Sequence, residues 1–62
     1  MDGVTKFNLT VTYTDNSTET FTGVTWQWEG TPPWGLKIEK AGQPITWVIL
    51  ANVKKFTAEV VT

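Results

Sequence analysis

Apolar and polar residues alternate from Thr5 to Tyr13, with Phe7, Leu9, Val11 and Tyr13 on one parity and Lys6, Asn8, Thr10 and Thr12 on the other. A period of two marks a strand with one buried face, so this stretch predicts the first strand. Thr14-Asp15-Asn16-Ser17 follows. These short polar side chains bond their own backbone and tolerate left-handed φ, which predicts a hairpin turn. The partner strand begins at Thr18. Within it Phe21 is odd-numbered while Val24, Trp26 and Trp28 are even-numbered, so the apolar parity changes across Gly23. An extra residue in one strand produces such a slip, and a β-bulge or sharp bend is expected there.

Pro32 and Pro33 remove ladder donors and make 29–35 a loop. Leu36 to Lys40 alternates again as a short strand, and Ala41-Gly42-Gln43-Pro44 turns the chain. The run Ile45-Thr46-Trp47-Val48-Ile49-Leu50 is apolar on both parities. Such a strand is either buried on both faces or covered on one by a partner. Ala51-Asn52-Val53 is too short for a loop and fits a single 3₁₀ turn. Phe56, Ala58 and Val60 then alternate with Lys55, Thr57 and Glu59 as a final strand. No segment carries helical spacing. The pattern predicts one all-β domain over 1–62, a small five-stranded barrel with a one-turn connector before its last strand.

Five short strands, a long central loop and the connector at Ile49-Leu50-Ala51-Asn52-Val53 resemble the SH3-like or Sm-like small barrel. The resemblance covers nearly the whole chain and concerns architecture. Of the Ala-Leu-Tyr-Asp-Tyr motif of signalling SH3 domains, only Tyr13 and Asp15 have counterparts, so recognition of proline-rich peptides is not implied. The segments Val11-Thr12-Tyr13-Thr14-Asp15-Asn16-Ser17-Thr18-Glu19-Thr20-Phe21 and Val48-Ile49-Leu50-Ala51-Asn52-Val53-Lys54-Lys55-Phe56 also resemble short uncharacterised proteins of bacteriophages and prophages. That resemblance implies a phage origin and a place in the bacterial host cytosol, and assigns no chemistry.

Composition narrows function by subtraction. Sixty-two residues without cysteine or histidine offer neither a disulfide framework nor the usual zinc ligands, so no metal or cofactor is expected. Without histidine, cysteine and arginine, the commonest base, nucleophile and anion clamp are missing. Asp15, Glu19, Glu29, Glu39 and Glu59 fall at turn or outward positions, where water keeps carboxylates ordinary, so no enzyme is expected. A net charge of −1 with five lysines provides no field for polyanions. No segment is long and apolar enough to span a membrane. Met1-Asp2-Gly3-Val4 opens with an acid, unlike a signal peptide, which favours the cytosol. Asn8-Leu9-Thr10 and Asn16-Ser17-Thr18 match the glycosylation pattern, but threonine is so frequent that chance matches are expected.

Four tryptophans remain to be placed. Each ring buries a large area and its N–H needs an acceptor, so a core this small leaves some of them outside. One arrangement caps the barrel ends and packs indoles on Pro32 and Pro33; the other exposes an aromatic platform. Stacking on nucleic-acid bases would pair that platform with a cationic groove, for which Lys37, Lys54 and Lys55 are the candidates. Association with a protein, including a second copy, fits the uncharged run Ile45 to Leu50 better, because exposed edge strands are normally guarded by charge. The expected interaction residues are Trp28, Trp34, Trp47 and Ile49. An engineered scaffold is a third reading, opposed by a surface that relies on Thr and Asn rather than Lys and Glu.

Overall fold

The computed structural model describes residues 5–61; the opening Met1-Asp2-Gly3-Val4, read above for a targeting signal, lies outside the described residues. Five strands form: β1 (Phe7–Tyr13), β2 (Thr18–Glu29), β3 (Gly35–Glu39), β4 (Thr46–Ile49) and β5 (Val53–Val60). A single 3₁₀ turn, Leu50–Asn52, joins β4 to β5. The strands make one antiparallel sheet in the order β4-β3-β2-β1-β5. The all-β class and the connector agree with the sequence pattern. Ring closure does not: β4 and β5 are the two edges of an open sheet. The 3₁₀ turn links those edges at one end only, and no ladder bonds continue from it.

Local chemistry explains both reversals in β1 and β2. At the hairpin, Tyr13 N–H donates to the Ser17 carbonyl at 2.8 Å and Asn16 N–H to the Tyr13 carbonyl at 2.9 Å. Asn16 takes the left-handed φ of 71°. The Ser17 hydroxyl and N–H both donate to Asp15 Oδ1, at 2.6 and 3.0 Å, and these bonds hold the Asp15 carboxyl below its ordinary value. Further along, Phe7 faces Val24 whereas Leu9 faces Phe21, so β2 advances three residues while β1 advances two. The surplus is the bulge at Gly23, whose φ of 65° suits a residue without Cβ. Its N–H donates to Asn8 Oδ1 at 3.1 Å, which replaces the interrupted ladder.

The bulge divides β2 between two halves of the sheet. Thr18 to Phe21 and Val24, on either side of it, pair with β1, and Thr25 to Glu29 pair with β3. The inner faces of the two halves close on a core of Leu9, Val11, Val24, Leu36, Ile38 and Val48. Each such aliphatic side chain contributes roughly 1.5–3 kcal/mol when fully buried. At one end of this core, Trp26 meets Phe7, Trp28 and Phe56 edge to face, with centroids at 6.2, 5.5 and 5.4 Å. Trp28 in turn meets Phe56 at 5.6 Å, tying β2 to β5. The Trp26 indole N–H is buried there with no acceptor among the described residues. Among those residues no helix is long and apolar enough to cross a membrane.

Candidate interaction face

Directly opposed residues in a sheet point to the same side. Leu36 faces Val48 and both are buried, so the opposite parity of β3 and β4 points outward. That parity holds Lys37 opposite Trp47 and Gly35 opposite Ile49. The two-sided apolar run is thus resolved: Val48 enters the core, while Trp47 and Ile49 stand outside it at 47% and 46% exposure. Ile45, immediately before β4 and on the same parity, is exposed to a similar degree.

Trp34 reaches this face from the loop. Its N–H donates to the Glu29 carbonyl at 2.8 Å, and its carbonyl accepts from Leu50 N–H at 2.9 Å, so both ends of the residue are fixed. Its ring stacks on Trp47 with centroids 5.9 Å apart and planes 21° apart. Gly30 makes room for the ring: a Cβ there would lie 2.4 Å from Trp34 Cδ1 and 2.9 Å from Nε1. Lys37 Nζ sits 5.9 Å from the Trp47 centroid, within cation–π range. The loop folds onto β4, and Trp34 remains 50% exposed and Trp47 nearly as much.

Of the four residues expected to act together, Trp34, Trp47 and Ile49 share this outward face. Trp28 does not. It is opposed to buried Leu36, so its side chain lies on the inner side against Trp26 and Phe56, half exposed at the rim. Ile45 and Lys37 also belong with the face: from the sequence Ile45 stands only as the start of the uncharged run and Lys37 only as a candidate for a cationic groove, and the shared odd parity of Ile45, Trp47 and Ile49 is the signal that groups the first with them.

The remaining polar groups are dispersed. Lys54 Nζ donates to Asn16 Oδ1 at 2.7 Å across the hairpin, and Lys54 and Lys55 lie on β5, the edge strand farthest from β4 in the sheet order. Lys37 lies on β3, which does not pair with β5. Glu19 is exposed near the hairpin end of β2, opposite Val11, and its Oε1 accepts a hydrogen bond from the Tyr13 hydroxyl at 2.7 Å. Desolvation first, and this carboxylate second, push the Tyr13 phenol up to about 12. An open cleft of about 420 Å³ lies between β2 and the β3–β4 turn, lined in part by Phe21, Val24, Ile38 and Pro44, with Lys40 its one ionisable residue. Among the described residues no three Asp, Glu, His or Cys side chains gather as metal ligands. Comparison with protein-family models, curated proteins and solved structures found no match.

Proposed function

We propose that this chain is a non-enzymatic interaction module of the SH3-like, partly open barrel type, which binds a protein through the outward face of β4. The strand order, the bend at Gly23 and the one-turn connector support the architectural part of this reading. The stacked Trp34–Trp47 pair carries the functional part. Two indoles held in register by backbone bonds on both sides of Trp34, with half of each ring facing solvent, form a rigid apolar anchor. Rigid aromatic anchors lose little side-chain entropy on binding and dominate interface energetics. Lys37 at the margin supplies a polar boundary. The resemblance to phage and prophage proteins extends the proposal to the cytosol of a bacterial host.

The test is native mass spectrometry of the tagged protein drawn from its host lysate, wild type beside a variant carrying Trp47→Ala and Ile49→Ser. Loss of both self-association and partner capture in a variant that keeps its far-ultraviolet circular dichroism is the expected result. Unchanged association would reject this face as the binding surface.

A further inference from the structure

We infer that the partner of this face is a second copy of the chain, added edge to edge along β4 about a twofold axis through Trp47, so that two five-stranded sheets become one of ten strands. This inference rests on the interaction reading above and specifies its partner.

The backbone supplies the first argument. Leu50 N–H bonds the Trp34 carbonyl, and antiparallel ladders alternate between bonded and unbonded pairs. Leu36/Val48 and Ile38/Thr46 are therefore the bonded pairs, whereas Lys37/Trp47 and Gly35/Ile49 are not. The N–H and C=O of Trp47 and the N–H of Ile49 consequently point away from β3 toward the open edge. No partner for them is present among the described residues. The Ile49 carbonyl, at the N-cap of the 3₁₀ turn, serves that turn.

The sequence supplies the second. Ile45-Thr46-Trp47-Val48-Ile49 reads nearly the same in both directions, since Thr and Val are similar in shape. A twofold axis at Trp47 sets Trp47 against Trp47 of the other copy, Ile45 against Ile49, and Thr46 against Val48. The two Trp47 residues exchange both backbone bonds, and each Ile49 N–H reaches the other copy's Ile45 carbonyl. All the outward side chains in this register are apolar, and no ionisable group meets its own copy across the axis. The alternative of joining β4 to β5 of the next copy would place the uncharged edge against Lys54, Lys55 and Glu59, the charges that guard β5.

Area sets the strength. A whole tryptophan side chain covers about 250 Å², so two rings at half exposure leave about 120 Å² each. With Ile45 and Ile49 at roughly 80 Å² each, one copy offers about 400 Å² of apolar surface and two offer about 800 Å². Strand pairing sets these side chains flank to flank on one continuous face and leaves their outer sides in water, so the pair buries less than the ~1,000 Å² at which specific interfaces begin and dissociates readily. At a Kd on the order of 50 µM, in the weak range, monomer and dimer are both populated at micromolar concentrations.

The experiment joins sedimentation equilibrium with amide hydrogen exchange on the full chain, from 5 to 500 µM. Mass action at that Kd slows exchange of the Trp47 and Ile49 amides about fourfold across the range, with little change at the β5 edge. Two variants address the geometry. Trp47→Lys puts like charges on the axis. Ile49→Pro deletes one edge donor at a φ of −83°, which proline accepts, without breaking a bond to β3. Both are expected to be monomeric at 500 µM, while Thr57→Lys on β5 dimerises as wild type does. The exchange measurement needs no variant and so stands even if Ile49→Pro fails to fold. A monomer at every concentration overturns the dimer and leaves the interaction reading to its own partner-capture test. A dimer that survives Ile49→Pro overturns strand pairing in favour of face stacking, and assemblies abolished by Thr57→Lys overturn it in favour of a β4-to-β5 chain or ring.

Discussion

Gly30→Ala is a small change with a large expected effect, because two separate costs meet at that residue. The backbone there has φ = 92°, and a side chain held at such an angle costs on the order of 1–3 kcal/mol. The new methyl would also occupy the space of the Trp34 ring, 2.4 Å from Cδ1, and would press the Pro32 carbonyl at 3.1 Å. The ring must leave its stack on Trp47, forfeiting about 0.5–1.5 kcal/mol of aromatic pairing. Together these amount to roughly 2–4 kcal/mol. A chain of 62 residues has only about 3–9 kcal/mol of stability in total, so the variant sits close to its unfolding threshold at 37 °C. Urea unfolding followed by tryptophan fluorescence measures the sum, and a double-mutant cycle with Trp34→Ala separates its parts. In the Trp34→Ala background the methyl meets no ring, so Gly30→Ala should cost about 1 kcal/mol less than in wild type. The circular dichroism couplet of the stacked indoles should disappear in Gly30→Ala alone. A cycle that closes to zero with the couplet intact refutes the claim that Gly30 positions the platform.

Three further outcomes are expected. Stability is at its full value below pH 10, where the Tyr13 phenol is protonated in both states, and falls as pH rises from 10 toward about 12, because the unfolded chain ionises first; Tyr13→Phe should flatten that arm of a pH series of urea midpoints. Leu36→Ala, at a fully buried position between β2 and β4, should cost about 2–5 kcal/mol, read as a fall of tens of degrees in Tm for a domain this small. Trp26→Phe should cost far less than the roughly 3–5 kcal/mol of Trp26→Ala, because it removes a buried N–H that has no acceptor while keeping an aromatic body against Phe7 and Phe56; equal costs for the two would show that the N–H is satisfied after all.

Parity was the legible part of this fold. Alternation placed β1 within two residues of its observed start, the shift of apolar parity located the bulge at Gly23, and the double prolines marked the loop. Each of these is a property of a few neighbouring residues. Closure of the sheet is not such a property: it depends on the summed bend and twist of all five strands, and the pattern of apolar positions is the same for an open sheet as for a barrel. The site was legible to the same depth. Parity put Trp47 and Ile49 on one side of β4 and Val48 on the other, and it grouped Trp28 with Trp26. It cannot say which side of β2 faces the core, since that follows from the register with β3, so Trp28 reads from the sequence only as an expected interaction residue, beside Trp47 and Ile49. The stack of Trp34 on Trp47 was likewise hidden, because it depends on a left-handed Gly30 that turns the indole back across the strand.

Period-two strands impose a constraint that connects stability with binding here. A strand alternates its side chains between two faces, so an edge strand rich in apolar residues can give only half of them to its own core. In β4 the inward half is Val48 alone among the strongly buried residues, while Trp47 and Ile49 place more apolar area outside the core than Val48 places within it. A monomer gains nothing from that outer area. Any partner that covers it adds free energy to the folded state alone, and for a second copy the addition grows with concentration. The domain's melting temperature should therefore rise with protein concentration, and the rise should vanish in Trp47→Lys. Six buried side chains among the described residues make a thin core for an unaided chain, and the outward face of β4 is where assembly would supplement it.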